Sequence, residues 1–264
     1  AKLNKNGLLE FIEGSMENFP DVYGKIDYII HGASQTQSIQ FISHPVETIN
    51  TAIKGTLSLL NLAKEKNIKS FVYLSSMEIY GYPKKGHKVK ENEIGAFTSL
   101  NLRNSYPISK IMCESMCCAF ANEYAIQVKI IRLTQTFGAG VKYDDARIFA
   151  YFGRCMKEKK NIVLKTKGET ERSYLYTLDA VTAILLIMLR GKSGMAYNAA
   201  DEETYCSISE MAEVVAKSAD IDVTYEIQDR NLNGFADTLY MNLDTSCLKD
   251  LGWKPIMNLN INDM

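Results

Sequence analysis

The sequence predicts an α/β fold: a doubly wound parallel sheet joined to a smaller mixed lobe. Three observations predict it. The segments IDYIIHGAS (26–34), KSFVYLSS (69–76) and QVKIIRL (127–133) are near-continuous apolar runs, the pattern of parallel strands buried on both faces. Helical stretches separate these runs, so strand–helix–strand crossovers are expected to join neighbouring parallel strands. The first two runs end in small residues, as suits strand ends that open onto a ligand crevice.

Between the first two strands, residues 46–66 carry apolar side chains at 49, 52, 53, 57, 60 and 63, the spacing of one helix face. Residues 81–104 are polar and Gly-containing, a loop. SYPISKIMCESMCCAFANEY then supplies a long helix over 106–124, with a proline suited to its first turn, and leads directly into the 127–133 strand. Beyond Arg132 the pattern loosens into the loop TFGAG, a helix near 146–158 and short strands at NIVLK and RSYLYT. DAVTAILLIMLRG reads as another apolar helix and MAYNAA as a buried strand. SISEMAEVVAKSA opens on the capping box Ser207 to Glu210, and IDVTYEI and DTSCLKDLGW follow. No repeat, low-complexity tract or linker divides the chain. The core is expected to take residues 1–135 and about 172–200, and the lobe 136–171 and about 201–264.

At 264 residues, 46% hydrophobic and 23% charged, the composition is that of a soluble globular protein. A net charge of -1 offers no basic field for nucleic acid or an anionic membrane. The longest apolar run, AILLIML at 183–189, is too short to span a bilayer, and no secretory pattern opens the chain. A cytoplasmic protein is expected, with neither nucleic acid nor membrane as partner. The six cysteines show no metal-ligand spacing, and Cys113, Cys117 and Cys118 crowd one helix, so reduced core thiols are expected. His31, His44 and His87 are scattered and form no metal site.

Chemistry is carried by a tyrosine four residues ahead of a lysine. That spacing occurs twice, at Tyr80–Lys84 and Tyr106–Lys110. The first lies in YGYPKKG, whose Gly and Pro belong to a loop; the second lies in a helix-forming run, where residues four apart stack on one face. Only in the second can an ammonium sit beside the phenol and favour its ionised form, giving a tuned acid/base. Thirty residues earlier, SSMEIYG puts Ser76 at the carboxyl end of a strand, where it can meet that helix.

With SSMEIYG, YPISK, KGTLSLLNLA, RLTQTFGAG, RSYLYTLD and LGWKP in register, the chain resembles the extended short-chain dehydrogenase/reductase family, the NAD-dependent nucleotide-sugar epimerases, dehydratases and decarboxylases. The resemblance implies a Rossmann-like core, NAD as cofactor and a nucleotide-diphosphate sugar as substrate. It implies that Ser76 bonds the sugar 4-hydroxyl, that Tyr106 removes its proton, and that Lys110 holds the nicotinamide ribose and lowers the tyrosine pKa. Ala33, Ser34 and Ser75 are expected at the cofactor, and Arg103, Gln135, Arg172 and Arg230 at the substrate, with Arg172 clamping the diphosphate. Glu78 matches the carboxylate that moves a proton next to the new ketone in dehydratases and decarboxylases. The residue between Ser76 and Glu78 is Met77, whose thioether cannot donate a proton, which counts against an ordinary 4,6-dehydratase.

Gln135 and Ala52 stand where the family commonly has Asn. Its Gly-x-x-Gly-x-x-Gly cofactor loop is not among the sixteen glycines. The sequence is therefore expected to be the retained middle of a longer enzyme, with the sheet incomplete at the N-terminus. Three readings stay open: a dehydratase or decarboxylase, a 4-epimerase, and a non-catalytic nucleotide-sugar scaffold. Finally, Ile108, Ile111, Met112, Cys113, Met116, Cys117, Cys118, Ala119, Phe120 and Ala121 surround almost the whole 106–124 helix, so a partner beyond the sheet is expected. The resemblance makes that partner a second subunit, a homodimer packed through helices 46–66 and 106–124.

Overall fold

The computed structural model describes residues 8–16, 19–228 and 237–257. Its main sheet holds four strands, β1 (Tyr28–His31), β2 (Ser70–Ser76), β4 (Val128–Leu133) and β8 (Ala196–Ala199), all parallel and in that spatial order. β2 and β4 are buried along almost their whole length, as their apolar sequences require.

One face of this sheet is covered by α2 (Pro45–Lys66) and α3 (Ser105–Tyr124), which pack on each other. Leu59, Leu60 and Ala63 of α2 meet Cys113 and Cys117 of α3 over Phe71, Tyr73 and Ile130. On the other face α5 (Thr177–Arg190) lays Ala180, Ala183 and Ile187 over Val72 and Ile131. Helices on both faces make the core doubly wound. The expected 26–34 strand forms only over Tyr28–His31, where Tyr28 and Ile30 remain exposed on one face.

A second sheet has the order β3 (Lys88–Val89), β11 (Tyr240–Leu243), β7 (Glu171–Tyr176) and β5 (Gln135–Phe137), with β9 (Asp201–Ser207) antiparallel on β7. A two-stranded sheet joins β6 (Ile162–Leu164) to β10 (Val223–Tyr225). Beside it, α4 (Ile148–Glu158) and α6 (Ile208–Ala219) enclose a separate core around Phe152, Ile162, Tyr174 and Met211. The capping box at Ser207 and Glu210 forms as expected. The last helix among the described residues, α7 (Ser246–Asp250), packs Leu248 beside Trp253 under α5.

Among the described residues, five elements fall where the sequence shows no pattern: a short helix α1 (Ser38–Ser43), and strands β3, β5, β9 and β11. Each is short or polar, and the pairing of the strands is decided by neighbours distant in sequence. All six cysteines are free thiols. Among the described residues, no helix is long and apolar enough to cross a membrane, and no metal-ligating cluster occurs.

Candidate active site

The site forms at the carboxyl ends of β1, β2 and β4. β2 ends at Ser76, whose hydroxyl accepts from the Glu78 backbone N–H at 3.2 Å and so caps a 3-10 turn, Met77–Tyr80. This cap turns the chain sharply and leaves Ser76 and Glu78 on the same end of the sheet. Gly95 of the following loop lies against the turn so closely that a Cβ there would stand 2.5 Å from the Tyr80 carbonyl carbon. The loop therefore needs glycine at that point.

Opposite the turn, α3 presents Tyr106 and Lys110 one helical turn apart, both buried. The Tyr106 hydroxyl is close enough to Ser76 and Glu78 for both to act on its ionisation. Its ring is stacked against Phe41 of α1, with centroids 4.4 Å apart and planes 4° from parallel, and Ser105 Oγ donates to the Phe41 carbonyl at 3.1 Å. The Lys110 ammonium donates to the Leu74 carbonyl at 2.7 Å and lies 5.7 Å from the Tyr106 ring centroid. Burial holds the Lys110 pKa down to about 8, with Cys113, Glu114 and Cys117 acting in the opposite direction. Burial raises the Tyr106 pKa above that of an ordinary phenol; the nearby Glu78 carboxylate adds to this and the Ser76 hydroxyl opposes it.

Glu78 is half-buried, and desolvation raises its pKa, opposed by the guanidinium groups of Arg103 and Arg172. Arg172, on β7, donates from Nη1 to Gln135 Oε1 of β5 at 3.3 Å, while its Nε is buried without a partner. The second sheet thus delivers a cation and an amide toward the turn that ends the first. Met77 faces the other way: it is buried, and its sulfur accepts from Thr134 Oγ1 at 3.3 Å. Thus Ser76, Glu78, Tyr106 and Lys110 come together, with Arg103, Arg172 and Gln135 around them.

The remaining sequence-predicted residues are less central. Ala33 and Ser34 lie in the loop that leaves β1, whose His31 pairs with Tyr73 of β2, and the Ser34 hydroxyl bonds the Gln35 carbonyl. Ser75 has its hydroxyl directed into the interior, where it donates to Glu114 at 2.5 Å. Arg230 lies outside the described residues. Sequence reasoning missed Phe41, and it passed over His31, which is buried with Nε2 on Thr56 Oγ1 at 3.0 Å and Nδ1 unpaired. Burial first, and then the Lys110 charge, hold His31 down to about 4, so the ring is neutral.

Residues 6–200 match the NAD dependent epimerase/dehydratase family. The chain belongs to that family. Among relatives, it is 28% identical over 236 residues to UDP-glucuronic acid decarboxylase 1 of Arabidopsis thaliana, covering 89% of this chain and 53% of that protein. It is 25% identical to UDP-glucuronic acid decarboxylase 1 of Danio rerio, covering 90% of this chain and 56% of the relative. The chain thus spans about half the length of these relatives.

Solved structures show the same fold. A dTDP-glucose 4,6-dehydratase double mutant of Streptomyces venezuelae with NAD bound superposes with TM-score 0.80 at 20% identity, covering 99% of this chain and 79% of that one. UDP-glucose 4-epimerase of Thermotoga maritima, with UDP-glucose, gives 0.76 at 24% identity, covering 90% and 74%.

The residues present fit the nicotinamide half of the family's cofactor. An ammonium has three donors, and the one hydrogen bond recorded for Lys110 leaves donors for a ribose hydroxyl beside Tyr106. Among the described residues there is no glycine-rich strand-to-helix loop for the pyrophosphate.

Proposed function

We propose that this chain forms the catalytic centre of a nucleotide-sugar lyase of the decarboxylase type, which oxidises the sugar at carbon 4 before a group leaves next to the ketone. The observation that carries the reading is the convergence of Ser76, Glu78 and buried Tyr106 and Lys110 at one sheet end, with Arg103 and Arg172 acting on Glu78. When bound, NAD supplies a hydride acceptor. Tyr106 Oη takes the proton of the 4-hydroxyl, and Ser76 Oγ fixes that hydroxyl's direction. Lys110 stabilises the phenolate and holds the nicotinamide ribose. Arg172 binds the diphosphate, with Gln135 orienting it. Glu78, half-buried and with a raised pKa, exchanges a proton at the carbon next to the ketone. Arg103 lies within electrostatic reach of that carboxylate, where a sugar carboxylate would be held.

Met77 favours this reading over a 4,6-dehydratase, since its buried thioether supplies no acid to a leaving 6-hydroxyl. A 4-epimerase has no need of Glu78, and a scaffold has no need of the buried Lys110. The test is incubation of the enzyme and NAD with UDP-glucuronate, UDP-glucose and dTDP-glucose, reading mass loss. Loss of carbon dioxide from the glucuronate supports the reading. Loss of water from the glucoses, or inversion alone, rejects it. Glu78→Gln should still form the 4-keto sugar but release product at least about a hundredfold more slowly.

The same reading makes the protein a homodimer through α2 and α3. Ile49, Leu57 and Met112 are exposed on these two helices, and α3 also exposes Cys118. Met112→Lys should shift sedimentation to the monomer, and a parent that already sediments as a monomer at micromolar concentration rejects the dimer.

A further inference from the structure

Behind the catalytic residues lies a buried ion pair that the reaction itself does not use. Glu114, one turn beyond Lys110 on α3, accepts from Arg132 of β4 at two points, Nε at 3.1 Å and Nη2 at 2.7 Å. Both side chains are more than nine-tenths buried. The pair reaches the catalytic turn from both of its ends. Ser75, the neighbour of Ser76, donates to Glu114 Oε1. Arg132 Nη1 donates to the Tyr80 hydroxyl at 2.8 Å, at the far end of that turn, and to the Glu91 carbonyl at 2.6 Å. Tyr80 in turn donates to Asn198 Oδ1 of β8 at 2.6 Å.

Two buried charges are a costly way to hold a core together, since apolar side chains of the same volume often serve as well. What an ion pair with defined directions adds is register. Here it links α3, which carries Tyr106 and Lys110, to both ends of the segment that carries Ser76 and Glu78, and it does so within one turn of Lys110.

We propose that Glu114 and Arg132 are positioning residues for the reaction, fixing the 76–80 turn in register with the Tyr106–Lys110 face of α3. This rests on the catalytic reading of the site, but the geometry can be measured without turnover. Arg132 needs no adjustment to stay charged, because Glu114 and the Tyr80 oxygen offset the desolvation of its guanidinium.

The test compares Glu114→Gln, which leaves Arg132 buried and unpaired, with the double variant Glu114→Gln/Arg132→Met, which removes both charges. The single variant should melt lower than the parent, and the double variant should regain most of that loss. In the double variant, amide exchange over residues 76–81 should still be at least about tenfold faster than in the parent, while β2 and β4 regain parental protection. Turnover should stay at least about tenfold down, with KM within about threefold. Tyr80→Phe, which removes no charge, should show the same pattern in milder form and serves if the other variants do not fold. Parental exchange over 76–81 in a variant of restored stability overturns the proposal, whatever the turnover. A parent inactive on every nucleotide sugar rejects the catalytic reading instead, and the exchange result then decides the register claim alone.

Discussion

The chain contains the same five-residue spacing twice, and the two copies have opposite fates. Tyr106 and Lys110 are both buried on one face of α3, within reach of Ser76 and Glu78. Tyr80 and Lys84 share no face: Tyr80 is buried at the end of the 3-10 turn, bonded to Arg132 and Asn198, while Lys84 is out in solvent. A tyrosine four residues from a lysine becomes a chemical pair only when a helix stacks the two and a sheet end desolvates them. The second tyrosine shows what the same side chain does without that arrangement. Its hydroxyl is saturated by structural partners, Arg132 and Asn198, while burial raises its pKa as it does that of Tyr106.

The comparison is broken most sharply at the phenols. Tyr106→Phe should lower hydride transfer by at least about a thousandfold, because the base is removed while the ring that stacks on Phe41 stays, and nucleotide-sugar affinity should be nearly unchanged. Turnover and calorimetric binding check both halves. The lysines come next. Lys110→Met should cost about a hundredfold in turnover, whereas Lys84→Met should remain within about twofold, by the same assay. Equal effects from the two lysines would remove the distinction altogether.

A smaller effect concerns the turn itself. Gly95→Ala forces a methyl group against the Tyr80–Gly81 backbone, 2.5 Å from one carbon and 2.6 Å from the Gly81 nitrogen, so something must shift. The expected loss is about 1–3 kcal/mol of stability, measured by denaturant unfolding. The smallest effect is a dependence on pH. Lys110 titrates near 8 in the folded protein, below its ordinary 10.5, so between those values the unfolded chain binds the extra proton and stability gains with rising pH. Below pH 8 the buried ammonium lowers stability by its full amount. Lys110→Met should therefore melt higher than the parent at neutral pH, with the difference shrinking as pH rises from 8 toward 10.5.

How much of this was legible in the sequence follows from how each feature is encoded. β2 and β4 are legible because strands buried on both faces must be apolar throughout, α2 because its apolar periodicity is local, and α3 because its helix-forming run and first-turn proline are. β5 and β11 escaped because their pairing with β7 is set by residues far along the chain, not by their own pattern. Tyr106, Lys110 and Ser76 are legible because a strand end and a helix start fix their directions, whereas Glu78 stands out only through the family resemblance. Phe41 was not, since nothing local shows that α1 folds back over Tyr106. Arg132 offered a signal that went unused: a charge inside the apolar run VKIIRL of a fully buried strand must have a partner, and Glu114 is the carboxylate α3 brings to it. The all-round apolar character of α3 predicts an outside partner. In the structure its buried face also carries Lys110 and Glu114, and its outer face keeps Met112 and Cys118 uncovered.

One measurement tests the central claim directly. The enzyme carrying bound NAD is mixed rapidly with UDP-glucuronate, and the absorbance of the reduced cofactor is followed through a single turnover. The account predicts a transient rise and fall in the parent, no rise in Tyr106→Phe, and a rise that persists in Glu78→Gln. A rise of parental size in Tyr106→Phe, or carbon dioxide released by the parent with no rise at all, would contradict it.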